Sequence, residues 1–184
     1  MRRQAALWAL AGGALALAFL LGRGGRTPGQ ASGETPSPAP PGFEALDARV
    51  VQTDESGAVA YAATARRVSQ ASDDAPLRAQ DLQIRQGSGG DWVLQAREGE
   101  LPAGSGRLRL RGAVEARGTP PGGAGVAIIR SAAADYDARR GQLSIRVPVT
   151  VVWSGRHLQA GTVEADLKTG RMQLEGKVHG RFRP

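Results

Sequence analysis

The sequence predicts an all-β body: one antiparallel sheet, folded over on itself, behind an apolar N-terminal segment. Three observations predict it. From Phe43 onward apolar and polar residues alternate with a period of two, and no convincing amphipathic helix interrupts them. The alternating runs are joined mainly by short turns, which means consecutive antiparallel pairing and not helical crossovers. One run, "GRLRLRGAV" at 106–114, returns sixty-four positions later as "GRMQLEGKV" at 170–178, with the same glycine inside each.

In the first copy Leu108, Leu110, Gly112 and Val114 share one face of a strand, and Arg107, Arg109, Arg111 and Ala113 share the other. In the second copy Met172, Leu174, Gly176, Val178, Gly180 and Phe182 alternate with Arg171, Gln173, Glu175, Lys177, His179 and Arg181. One face of each run is apolar and the other wet. The repeat reaches upstream as well, where "LQA" at 94–96 recurs at 158–160 in the same register. Glycine inside a strand weakens packing unless it makes a bulge or a bend, so Gly112 and Gly176 are expected to mark matched bends that curve the sheet.

Further runs follow the pattern: "GAVAYAATA" at 57–65, "AQDLQIRQ" and "WVLQARE" joined by the hairpin signal "GSGGD", and "GQLSIRVPV" at 141–149. Polar turns, "DES", "AGS", "ARR" and "LKT", precede the glycines that open four of these runs, and glycine supplies the positive φ such bends use. The loop "RGTPPGGAG" at 117–125 separates two more. The total is about nine strand-like segments.

The N-terminus divides into two parts. Residues 1–21 carry Arg2 and Arg3 followed by an uncharged run from Ala5 to Leu21. As a helix that run would extend roughly 25 Å, just enough to cross a bilayer. A cleaved signal peptide is the rival reading, but no small-x-small site follows the apolar core at the right distance, which favours a retained anchor with an exported body. Residues 22–42 hold five prolines and six glycines in twenty-one positions and read as an extended, swivelling linker. The β body then occupies 43–184.

Several classes of chemistry are excluded. With no cysteine there is no disulfide, thiol nucleophile or cysteine-zinc site. The two histidines, His157 and His179, are read as solvated strand residues, and "DYD" at 135–137 as a strand entering a turn and not a cation site. No nucleophile elbow, phosphate loop or dinucleotide fingerprint occurs, so no catalytic residue, cofactor or metal is assigned and an enzyme is not expected. The net charge of +7 is nearly all arginine, Lys168 and Lys177 being the only lysines. Arg107, Arg109 and Arg111 alternate with leucine and glycine, without the interleaved aromatics that stack on bases, so nucleic acid is not an expected partner.

Folded over, the sheet would turn Trp92, Leu94, Leu108, Leu110, Leu143, Ile145, Val147, Met172, Leu174 and Phe182 to its interior. Each of them would equally suit an ordinary packed core.

With the apolar span, the linker and the "W-x-L-x-A … L-x-L-x-G-x-V" arrangement together, the chain resembles the LptC family of lipopolysaccharide export proteins. The resemblance rests on "DESGAVAYAATARRV" at 54–68, "WVLQAREGELPAGSGRLRLRGAVEA" at 92–116 and "LQAGTVEADLKTGRMQLEGKVHGRF" at 158–182. It implies a twisted antiparallel β-jellyroll like that of OstA and LptA, anchored in the inner membrane with its body in the periplasm. It also implies that the ten interior residues line a groove for the acyl chains of lipopolysaccharide. The partners it implies are an inner-membrane ABC transporter complex, near Val50, and a periplasmic jellyroll bridge protein. The bridge protein would add a strand to the C-terminal edge at Gln173, Glu175, Lys177, Val178 and Arg181. A membrane-anchored scaffold with a dry core is the alternative that the same strands allow.

Overall fold

The computed structural model of the protein describes residues 42–54, 56–87, 91–121 and 125–181. The expected anchor, all but the last residue of the expected linker, and Phe182 lie outside them. No helix among the described residues is long and apolar enough to cross a membrane.

All regular structure described is strand, twelve in number: β1 (Phe43–Thr53), β2 (Val59–Gln70), β3 (Leu77–Gln86), β4 (Val93–Leu101), β5 (Arg107–Gly118) and β6 (Ala127–Asp137) come first. They are followed by β7 (Gln142–Ile145), β8 (Val149–Trp153), β9 (Arg156–Ala160), β10 (Thr162–Asp166), β11 (Arg171–Glu175) and β12 (His179–Arg181). Every pairing is antiparallel, and the strands form one sheet. The turns at Asp54–Ala58, Pro102–Ser105, Asp137–Gly141 and Asp166–Gly170 are each closed by backbone hydrogen bonds, at the places the glycine-led runs predict.

The sheet is creased. β6 pairs through residues 135–137 with β7 and through 127–131 with β8, so the sheet divides beyond it into two branches, β7-β10-β11 and β8-β9-β12. The nine runs are therefore present, but three of them break in mid-course, between β7 and β8, at Gly161, and at Gly176–Val178. The same crease crosses the unbroken strands as irregularities: Asp47 at φ 49°, Asp81 at φ 50°, a register shift between Gln95 and Glu98, and the pair Gly112 and Ala113 at φ 74° and 53°. Gly176 and Lys177 repeat that pair at 74° and 47°. Aspartate is among the residues that tolerate the left-handed region, and Arg66 Nε meets the Asp81 carboxylate at 2.6 Å across the crease.

At the crease the period-two pattern slips. Inward residues step by three, from Ala65 to Val68, Ala79 to Leu82, Ala96 to Gly99 and Ala160 to Val163, in place of two or four. An inserted residue turns the strand through the corner while keeping its apolar side chains inside. The first half of the sheet (the ends of β2 to β6 near Gln70, Leu77, Leu101, Arg107 and Asp137, with β7, β10 and β11) thus faces the second half (the opposite ends, with β8, β9 and β12). Between them lies one core, in which Trp92, Tyr136, Leu143, Val163 and Ala127 are fully inaccessible.

The two halves close on each other at the end opposite the crease. A Cβ on Gly170, in the first half, would meet Pro120 Cβ, beyond the end of β5 in the second, at 2.7 Å. Within the first half, Lys168 Nζ donates to the Arg139 carbonyl at 2.7 Å and the Leu167 amide to the Gly141 carbonyl at 2.8 Å, tying the β10–β11 turn to the β6–β7 turn.

Candidate functional site

The residues expected inside divide into two groups. Trp92, Leu94, Leu110, Leu143 and Ile145 are at most 1% exposed and form the centre of the core. Leu108, Val147, Met172 and Leu174 are half-buried and pack against it from the crease and from the free edge. The structure brings these nine into one interior contributed by both halves. It is filled by the protein's own side chains, and the Nε1 of Trp92 finds no protein acceptor within it.

Sequence reasoning passed over other interior residues of equal weight: Ile129, Val151, Val163 and Leu167, all at most 1% exposed, and the hydrogen-bonded pair Gln86 and Tyr136. Ile129, Val151 and Val163 lie on alternating runs and were readable as such, whereas Leu167 sits in the segment "LKT" that reads as a polar turn. Tyr136 lay hidden inside "DYD", and its contact with Gln86 spans fifty residues of sequence. Burial pushes the Tyr136 hydroxyl well above the ordinary phenol range, with Tyr61 and Asp137 adding to the shift.

Clefts lined by the described residues include two on the surface of the sheet. One, about 670 Å³, lies along the crease beside Pro148, Gln159, Gly161, Gly176, Lys177 and His179. The other, about 350 Å³, lies on the outer face of the first half beside Arg78, Glu98, Glu100 and Arg109. None of the nine described residues expected in the interior borders either cleft. The Arg107, Arg109 and Arg111 ladder is exposed, as a wet face should be, and Glu100 accepts Arg109 at 3.3 Å and lies 3.8 Å from Arg78.

Among the described residues, the two outer edges of the sheet are open. β1 pairs only with β2, and it exposes Phe43, Leu46, Val50 and Val51. At the other edge β11 pairs only with β10, and β12 only with β9. Gln173, Glu175 and Arg181 are exposed on those strands, while Lys177 and Val178 sit in the break between them. The alternating run that begins at Arg171 is thus, among the described residues, two short strands, because the left-handed pair Gly176 and Lys177 turns the chain at the crease.

The sixty-four-residue repeat proves to be a repeat of register. Glu98 pairs with Arg111 and Thr162 with Glu175; Gln95 pairs with Glu115 and Gln159 with His179; Val93 pairs with Arg117 and His157 with Arg181. Both members of each matched pair differ by the same sixty-four positions. The β4–β5 hairpin and the hairpin from β9 to β12 are therefore one creased unit used twice. In the first use β6 covers the far side of β5; in the second the far side of β11 and β12 is the edge of the sheet.

The sequence matches the family described as lipopolysaccharide-assembly, LptC-related, over residues 10–183. The chain belongs to the LptC-related family. That membership makes it a component of the lipopolysaccharide transport system. None of the curated proteins compared with this LptC-family chain matches it. Among solved structures it is similar to LptH, the LptA-homologous periplasmic component of the lipopolysaccharide transport device of Pseudomonas aeruginosa. That similarity has 11% identity and a TM-score of 0.48, and covers 77% of this chain and 94% of that one.

Proposed function

We propose that this LptC-family chain is held in the inner membrane by residues 1–21 and carries lipopolysaccharide in the periplasm on the interior of its creased sheet. It takes the lipid from an inner-membrane ABC transporter complex at the β1 edge and passes it to a periplasmic jellyroll bridge protein at the β11 and β12 edge. The observation that carries this reading is an apolar interior whose sheet can be extended at both ends, since among the described residues both terminal runs leave one side unpaired. An unpaired edge is a template for strand addition, and an apolar lining solvates acyl chains. The register repeat adds support, because β6 already occupies on β5 the place that a partner strand would take on β11 and β12.

The interior is filled in this structure, so lipid entry requires the halves to part. Half-buried Met172, Leu174, Leu108 and Val147 are the residues that an acyl chain meets first, and the fully buried five lie deeper. That filled interior also favours a second reading: a membrane-anchored scaffold whose core stays dry while its edges join the neighbours.

Photocrosslinking in cells separates the two. With a photoreactive residue in the full chain at Met172, Leu174 or Leu110, the carrier reading expects lipopolysaccharide adducts there and none at outward-facing Ser144. Adducts to protein partners alone, from positions that support growth, would overturn it in favour of the scaffold.

A further inference from the structure

The interior is not uniformly apolar. At the mouth, the end opposite the crease, the inward residues of the second half form one row: Tyr61, Gln86, Trp92, Gly118, Ala127 and Trp153. Tyr61 pairs with Gln86, Gln86 donates its amide to the Trp92 carbonyl, Gly118 pairs with Ala127, and Ala127 pairs with Trp153. Trp92 comes opposite Gly118 because Val93 pairs with Arg117. One row deeper, Ala63, Ile84, Leu94, Ala116, Ile129 and Val151 are likewise neighbours in turn, and all are apolar.

Four members of the mouth row are large with a polar tip: a hydroxyl, a carboxamide and two indole N–H groups. The other two are small and make room for them, and a Cβ on Gly118 would meet the Trp92 ring at 2.6 Å. The corresponding row of the first half, Leu108, Tyr136, Leu143, Ala165 and Met172, has a single polar tip, that of Tyr136. The Tyr136 hydroxyl is satisfied by Gln86.

The two indoles are not satisfied. Nε1 of Trp92 and Nε1 of Trp153 are both inaccessible to solvent and have no hydrogen-bond partner among the described residues. Trp92 is buried throughout, and Trp153 is half-buried with its Nε1 inside. An indole N–H only donates, and a buried donor without an acceptor destabilises the fold. A phenylalanine at either position would carry no such cost. The groups that answer two donors at the boundary of an apolar cavity are acceptors attached to hydrocarbon. Tyrosine and tryptophan suit that boundary, with the ring on the apolar side and the tip at the polar level.

In an acyl lipid the hydrocarbon ends at an ester or amide carbonyl, an acceptor that cannot donate. We propose that Trp92 and Trp153 donate to the ester and amide carbonyls that join the acyl chains of the carried lipid to its sugars. The row then sets how far the lipid enters, with the chains on the apolar row beyond it and the head group outside the mouth. This rests on lipid carriage by the interior, and adds which atoms of the lipid are recognised and by which residues.

The chain has three tryptophans, Trp8, Trp92 and Trp153, so Trp8→Phe leaves two indole N–H resonances in the full chain. They are followed with isotope-labelled indole nitrogens in dodecyl maltoside, a detergent without a carbonyl. Lipopolysaccharide is expected to move both indole protons downfield and slow their exchange with water. The same saccharide stripped of its ester- and amide-linked chains by alkali should leave them unchanged. Trp92→Phe and Trp153→Phe, which keep an aromatic ring, should each weaken lipopolysaccharide binding about fivefold, the loss of one hydrogen bond, as titrated by the remaining indole. If Trp92→Phe disturbs the fold, half-buried Trp153 carries the test alone. Lipopolysaccharide bound to the protein by native mass, with both resonances unmoved, would overturn the proposal and leave carriage standing. Equal movement with the stripped saccharide would overturn it too, since the donors would then meet sugar. A chain that binds no lipopolysaccharide would remove carriage, and the proposal with it.

Discussion

The Tyr136 hydroxyl donates a hydrogen bond to Oε1 of Gln86, joining the end of β6 in the first half of the sheet to the end of β3 in the second. Gln86 is the one non-aromatic polar residue buried in the described core. Removing a partner from a buried polar group leaves its desolvation uncompensated. Tyr136→Phe is therefore expected to cost about 1–3 kcal/mol, read as a fall of several degrees in Tm with the β-sheet signal unchanged at low temperature. An unchanged Tm would mean that the contact does not hold the halves together.

The same pair predicts a pH dependence. Burial, with smaller contributions from Tyr61 and Asp137, raises the Tyr136 hydroxyl above its unfolded value of 10.0. The folded state thus holds its proton where the unfolded chain has lost it. Stability is complete below about pH 10 and falls as pH rises further, by up to about 1.4 kcal/mol per pH unit for one such group. Urea titrations across that range should show the fall, and Tyr136→Phe should leave only the smaller share due to half-buried Tyr61, which burial also raises.

Gly112 and Gly176 make equivalent corners and should differ in cost when filled. An alanine at φ 74° is strained at either site by about 1–2 kcal/mol. At Gly112 the new Cβ would also press on Arg97 Cβ at 3.0 Å, whereas at Gly176 its nearest neighbour is at 3.5 Å. Gly112→Ala is expected to lower the urea midpoint more than Gly176→Ala.

Leu110 and Leu174 hold the same place in the repeat but not in the core. Leu110 is 1% exposed between two covered strands, and Leu174 is half-buried on an edge strand. Leu110→Ala should cost about 2–5 kcal/mol, and Leu174→Ala roughly half of that or less. Lipid capture is consequently better tested at Leu174, where a polar substitution leaves most of the fold standing, than at Leu110.

At the open edge, the Glu175 carbonyl accepts the Gly161 amide, so the backbone groups of Arg171, Gln173 and Glu175 point toward β10 and those of Met172 and Leu174 point away. Met172→Pro removes an outward amide without breaking the β10 ladder, and Met172→Ala removes comparable packing but keeps the amide. If a partner strand adds here, Met172→Pro should lower capture of the bridge protein at least tenfold relative to Met172→Ala in a pull-down. Equal capture would place the docking contact elsewhere.

Much of this architecture could be read in one dimension. Turns at Asp54, Pro102, Asp137 and Asp166, the nine alternating runs, and bends at Gly112 and Gly176 all follow from local rules: period two, turn chemistry, and the freedom of glycine at positive φ. The interior residues were legible for the same reason. The slip in the pattern at Asp47, Asp81 and Arg97 was not, because a bulge needs only one extra residue and these carry no glycine to announce it. The contact of Gln86 with Tyr136 was equally hidden, since no local rule relates two residues on different strands.

The sequence by itself determined that this chain is a creased antiparallel sheet of nine runs with an apolar inner face, since side-chain alternation and turn residues act over a few positions. The tertiary structure alone decided where that face is deep and where it is shallow, which copy of the repeat is covered, and which inward residues line up at the mouth. Those depend on strand register and on the neighbours that each run acquires, and register is a relation between segments that no single segment contains.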